Sequence, residues 1–152
     1  MNSSTFAGTD KPDSARKMRY FHNFYGIFKL NDALAATIGF DIGIEQKNEN
    51  SSAMNTWCNP TVILKYAPTA KTAIAVRAEY YDDRHGVIIA PGTPNGFKTW
   101  GFSTNFDYRV SSHVLWRMEA RTLSSKDDIF ISDDSRTSDS NTFVTTSLSV
   151  NF

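Results

Sequence analysis

The sequence predicts an all-β fold: an antiparallel up-and-down meander of about seven strands that forms part of a transmembrane β-barrel. Three observations lead there. Stretches of roughly ten residues, the length of a tilted strand crossing hydrocarbon, alternate apolar and polar side chains with the period of two that strands have. The connections between them alternate short and long without exception, which in a meander gathers every short turn at one end. The 152-residue, one-domain chain contains no run of 18 apolar residues, so a transmembrane helix is excluded. Strands that are apolar only at alternate positions are not excluded.

Residues 1–17 read as a polar loop or disordered segment, and 18–152 as the barrel. Met1 to Ser14 is mostly Asn, Ser, Thr, Asp and Pro around Phe6, with no basic segment followed by an apolar core and hence no signal peptide. From Met18 to Leu30 the chain is rich in Phe and Tyr, which favour strands. Setting Lys29 inward sends Tyr20, Phe24 and Phe28 outward, and Phe21, Tyr25 and Ile27 inward. Asn31-Asp32 is a turn signal. Ala33 to Gln46 then sets Leu34, Ala36, Ile38, Phe40, Ile42 and Ile44 against Ala35, Thr37, Gly39, Asp41, Gly43 and Glu45. No helix arranges its residues so.

Asn48 to Asn55 is a polar loop, and Thr56 to Tyr66 a third strand with Pro60 near its start. A short turn around Pro68 leads to the fourth strand, Thr72 to Asp83, with Ile74, Val76, Ala78 and Tyr80 opposite Arg77, Glu79, Tyr81 and Asp83. The loop Arg84 to Gly96 is long and holds Pro91, Gly92, Pro94 and Gly96. In the fifth strand, Phe97 to Val110, Trp100, Phe102, Phe106 and Tyr108 face away from Gly101, Ser103, Asn105, Asp107 and Arg109. After Ser111-Ser112 the sixth strand, His113 to Leu123, sets Val114, Trp116, Met118 and Ala120 against Arg117, Glu119 and Arg121. A long polar loop to Asn141 precedes the last strand, Thr142 to Phe152, in which Val144, Leu148, Val150 and Phe152 share one face. That ending, an aromatic last residue with apolar residues two and four places earlier, resembles the terminal strand of Gram-negative outer-membrane barrels.

Composition narrows the function classes. Sixteen basic residues balance sixteen acidic ones, which argues against a nucleic-acid binder driven by bulk charge. One cysteine, Cys58, allows no internal disulfide. Hydrophobic residues make up 40% and the mean hydropathy is -0.38, an average that conceals one-sided strands. Two placements of the faces are open. In a soluble barrel the aromatic face fills the core and the charged face meets water. In a membrane barrel Trp100, Phe102, Phe106, Trp116, Leu148 and Val150 face lipid, while Lys65, Arg77, Glu79, Asp107, Arg109, Arg117, Glu119 and Arg121 line an aqueous interior. Mixing of Gly, Ser and both charge signs on the polar face favours the second.

Particular motifs sharpen this. Ile63-Leu64-Lys65-Tyr66-Ala67-Pro68-Thr69, then Val76-Arg77-Ala78-Glu79-Tyr80-Tyr81-Asp82-Asp83 and Gly86-Val87, resemble the OmpL-like β-barrel porin family, in which an Arg-x-Glu-Tyr-aromatic-x-Asp strand precedes an outer loop. Trp116-Arg117-Met118-Glu119-Ala120-Arg121, followed by a loop and a Phe-ended strand, is similar to that family's ending. The resemblance covers Thr56 to Phe152. It implies a bacterial outer-membrane channel for passive diffusion of small hydrophilic solutes, with outer-membrane lipid and the barrel-assembly machinery as partners. Leu148, Val150 and Phe152 would form the assembly signal. The alternatives are a structural or adhesive outer-membrane barrel without an open pore, and a soluble β-barrel binding a small apolar ligand. Because neither charge sign forms an unbroken ring, ion selectivity should be weak.

Chemical sites are few. His22, His85 and His113 fall on separate elements without ligand spacing, and Asp127, Asp128, Asp133, Asp134 and Asp139 lack the spacing of a calcium loop. Glu79 and Glu119 each sit two residues from an arginine, which suits ion-paired walls better than acid-base catalysis. Neither an enzyme, a cofactor nor a metal is expected. Seven strands with Phe152 at the short-turn end place the amino terminus at the other end, whereas single-chain barrels have an even count. With the missing export signal, this predicts the carboxyl-terminal portion of a larger barrel, an open sheet edged by the Met18 and Thr142 strands.

Overall fold

The computed structural model describes residues 1–9, 11–12, 15–132 and 136–152. Among the described residues ten strands follow one another: β1 (Asn2–Gly8), β2 (Arg19–Lys29), β3 (Leu34–Gln46), β4 (Met54–Tyr66), β5 (Thr72–Asp83), β6 (Phe97–Arg109), β7 (Val114–Ser125), the two-residue β8 (Phe130–Ile131) and β9 (Thr137–Ser138), and β10 (Ser140–Val150). Eight of them form one antiparallel meander in the order β1-β2-β3-β4-β5-β6-β7-β10, and β8 pairs with β9 inside the last long connection. Residues 30–33, 67–71 and 110–113 make the short turns at one end, and the longer connections β1 to β2, β3 to β4, β5 to β6 and β7 to β10 lie at the other.

The strand count corrects the sequence reading: the sheet has eight strands and not seven, and Asn2 lies toward the short-turn end, not at the opposite end as the odd count required. Residues 1–17 are not simply a polar loop, because Asn2–Gly8 pairs with β2 from Asn2↔Tyr25 to Gly8↔Arg19. This segment of Asn, Ser, Thr and Gly around Phe6 carries no period-two apolar signal. Backbone hydrogen bonding to an adjacent strand needs none. The sheet is open, but its edges are β1 and β10, not β2 and β10.

Pro60 departs from expectation too. It lies inside a central strand, where the β3–β4 ladder runs unbroken through Phe40↔Pro60. On the other side the β4–β5 ladder skips from Cys58↔Asp82 to Thr61↔Glu79, as a residue without an N–H requires.

Antiparallel partners share a face, so the registers sort the side chains. Glu45, Trp57, Glu79, Asp83, Thr99, Ser103 and Ser125 are the buried ones, and all belong to the same face. A single sheet with no covering layer buries side chains on one side only where it curves around them. That face is therefore the concave one. It holds the one buried apolar side chain among the described residues, Trp57. The convex face is apolar and open: Phe102 is 51% exposed and Leu148 64%.

Candidate functional site

The concave wall is built from side chains that answer one another across strands. Register brings Glu79 beside Gly101, and Arg77 and Arg121 to either side of Ser103 one step lower. Glu79 accepts a hydrogen bond from Nη2 of each arginine, one carboxylate thus joining β5 and β7 over β6. Gly101 makes the crossing possible, since a Cβ there would stand 2.6 Å from Glu79 Oε1. The Nε atoms of Arg77 and Arg121 are buried without a hydrogen-bond partner among the described residues.

Two further pairings flank this one. Near the long loops, Glu45 receives Lys11 Nζ at 2.9 Å and Arg19 Nη2 at 2.5 Å. Toward the short turns, Arg117 grips Asp107 with Nε and Nη2, both at 2.6 Å, in the two-pronged geometry that gives guanidinium–carboxylate pairs their strength. Lys65, Arg109 and Glu119 share the face but make no salt bridge among the described residues.

Between the Glu45 and Glu79 clusters runs an aromatic row. Phe21 and Trp57 stack at 5.3 Å between ring centroids and Trp57 and Tyr81 at 6.0 Å, and Phe97 closes on Tyr81 edge-on at 5.4 Å. Trp57 reaches Phe21 by leaning across β3, where Gly43 leaves the room. The ring faces are spent on each other, so the row is a stiff wall.

The loop 84–96 is tied down from below. Asp83, 0% exposed, accepts the backbone N–H of Val87 at 2.8 Å on one oxygen, and of Ile88 and Ile89 at 2.7 and 2.9 Å on the other. This carries Ile89 over the wall, where it borders a concavity of about 310 Å³ with Arg77, Glu79, Tyr81, Phe97 and Arg121. The loop's far end is tied to the next one, Asn95 donating its N–H and Nδ2 to Asp127 at 2.8 and 2.7 Å. Those bonds hold the Asp127 carboxyl below its ordinary pKa.

All eight charged residues singled out from the sequence stand on the concave face. Trp100, Phe102, Phe106, Trp116, Leu148 and Val150 stand on the convex one. There Tyr80, Trp100 and Phe102 pack in sequence at 4.7 and 5.9 Å. Trp116 Nε1 donates to Thr146 Oγ1 at 2.8 Å, satisfying a polar atom on an otherwise apolar side. Phe152 lies past the last ladder pair, and Asn151 N–H bonds His113 O at 2.9 Å.

The histidines stay apart: His22 meets Thr5 Oγ1 at 2.9 Å on the convex face, His85 sits in a long loop and His113 in a short turn. Among the described residues no group of side chains is arranged to hold a metal. Asp133 and Asp134 lie outside them. Sequence reasoning missed the aromatic row and the Asp83 knot. A signal existed for the first: Gly43 on the inward set, which leaves room for a large neighbour.

A family model described as "Putative beta-barrel porin-2, OmpL-like" matches residues 1–152, including the first third, where the sequence motifs are absent. No curated protein and no solved structure matches the chain.

Proposed function

The chain belongs to the OmpL-like β-barrel porin family of the bacterial outer membrane, and from that premise we propose that it forms a channel wall for passive diffusion of small hydrophilic solutes. The observation that carries this is the division of one sheet into a charged concave face and an aromatic convex face. Lys65, Arg77, Glu79, Asp107, Arg109, Arg117, Glu119 and Arg121 line the pore; Trp100, Phe102, Phe106, Trp116, Leu148 and Val150 meet outer-membrane lipid. An unpaired backbone group in hydrocarbon costs several kcal/mol, so β1 and β10 are paired with strands in the assembled barrel. The barrel-assembly machinery reads Leu148, Val150 and Phe152. Solutes pass along the concave face, whose paired ions keep it wet and rigid.

A second reading, a barrel whose interior is closed, draws on Ile89 folding over the Arg77–Glu79–Arg121 bridge. Conductance of the purified protein in planar bilayers separates the two. Stepwise channels in salt solution support the pore, and insertion without any current supports the closed barrel. Failure to partition into detergent would refute both and favour a soluble barrel.

A further inference from the structure

Most cations of the concave face are held by a carboxylate, and the exceptions gather in one place. Glu45 is matched by Lys11 and Arg19, and Glu79 by Arg77 and Arg121. At the short-turn end a concavity of about 410 Å³ is bordered by Lys65, Lys71, Arg109 and Arg117, with Asp107 as its one carboxylate. Asp107 is occupied by the two-pronged bond from Arg117. Lys65, Lys71 and Arg109 make no salt bridge among the described residues, so three cations stand in excess around one opening.

The surrounding backbone is ordered. Thr69 Oγ1 accepts the N–H of Lys71 at 3.2 Å and of Thr72 at 3.0 Å, and bonds Thr72 Oγ1 at 2.7 Å. Arg109 N–H bonds Lys71 O at 2.8 Å, binding the start of β5 to the end of β6. The cations therefore project from fixed strand ends into a shared recess. A recess lined by one sign of charge raises the local concentration of the opposite ion, because its protein walls focus the field. Ammonium and guanidinium groups are also the usual donors to oxyanions, each with several N–H groups to offer.

We infer that the short-turn mouth is an anion-capture site, which loads small polyvalent oxyanions into the channel in preference to cations. This rests on the channel reading above, and it replaces the weak selectivity expected from composition. Along the wall both signs alternate and the cations are held by Glu45 and Glu79, whereas the mouth gathers three cations without a salt bridge, so the mouth decides.

The test uses the purified full-length protein folded in detergent and in planar bilayers, with inorganic pyrophosphate as the probe. Wild type is compared with the triple variant Lys65→Gln/Lys71→Gln/Arg109→Gln, and with Lys126→Gln in a long loop as control. Broadening of the pyrophosphate phosphorus resonance reads binding directly. It should be present in wild type and control, and the triple variant should bind on the order of tenfold more weakly, the product of three exposed ion-pair contributions of ordinary size. The zero-current potential under a potassium chloride gradient should show anion preference, lost in the triple variant. Channels without anion preference, or with one the triple variant keeps, overturn the capture site and leave the porin reading standing. Silent bilayers with pyrophosphate bound by wild type and not by the triple variant overturn the porin reading and leave the capture site. Pyrophosphate bound equally by all three proteins, or by none, overturns the site whatever the bilayers show.

Discussion

The indole of Trp57 lies in the space that a side chain on Gly43 would occupy. A Cβ at that position would collide with Cε2 and Nε1 of the ring. Gly39, four residues earlier on the same strand and face, has nothing closer than 3.8 Å to its own missing Cβ. Gly43→Ala should therefore lift Trp57 off β3 and break its stack with Phe21, costing about 1–3 kcal/mol as overpacking does. Urea unfolding in detergent, followed by tryptophan fluorescence, measures it. Gly39→Ala is the control and should be near neutral, and equal losses in the two variants would refute the account.

Glu79 holds two guanidinium groups together. Its replacement by Ala leaves Arg77 and Arg121 facing each other at one register level, so stability should fall by roughly 2–4 kcal/mol, the cost of breaking a buried pair lessened by the partial exposure of both arginines. Adding Arg121→Met should restore part of the loss, because it removes the repulsion. No recovery in the double variant would mean that the carboxylate matters for packing and not for charge.

Asp83 is read most directly by hydrogen exchange. Three consecutive amides depend on one carboxylate, and Asp83→Ala should speed exchange at Val87, Ile88 and Ile89 by roughly tenfold to a hundredfold, the equivalent of a charge-assisted hydrogen bond. With the loop released from the wall, single-channel conductance should rise. Unchanged exchange would show that the loop is held from elsewhere.

Asp127 sets a pH dependence in a long loop outside the membrane. Its pKa is depressed by the Asn95 bonds, so the tie between the two loops is fully present above the ordinary carboxylate pKa and is lost as pH falls through the lowered value. Amide resonances of Asn95, followed by NMR down through acid pH, should move with a midpoint below 3.8, the group's ordinary value. Asn95→Ala should return the carboxyl toward that value.

Assembly should depend on Phe152 more than on Asn151. Phe152→Ala removes the aromatic that the assembly machinery is proposed to read, whereas Asn151→Ala keeps the backbone bond to His113. The folded, heat-modifiable fraction in outer-membrane preparations should fall by several-fold for the first and little for the second. Equal yields would count against the proposed signal.

Sequence by itself determined which side of the sheet the residues of β3 to β7 and β10 would occupy, while in β2, with aromatics on both sides, the facing rested on placing Lys29 inward. The reason is physical: a strand's side chains alternate by geometry, so apolar and polar sets separate before any tertiary contact is known. Arg77, Glu79, Trp100 and Phe102 could be sorted this way, and the alternation of short and long connections placed the turns. Residues 2–8 escaped because an edge strand can be held by backbone hydrogen bonds alone, and Asn-Ser-Ser-Thr carries no apolar period to announce it. Only the tertiary structure decided the rest. Trp57 over Gly43, Glu79 shared by Arg77 and Arg121, and Asp83 gathering three loop amides all depend on registers between strands and on the course of a loop. Such registers are set by many side chains at once, and no local stretch of sequence contains them.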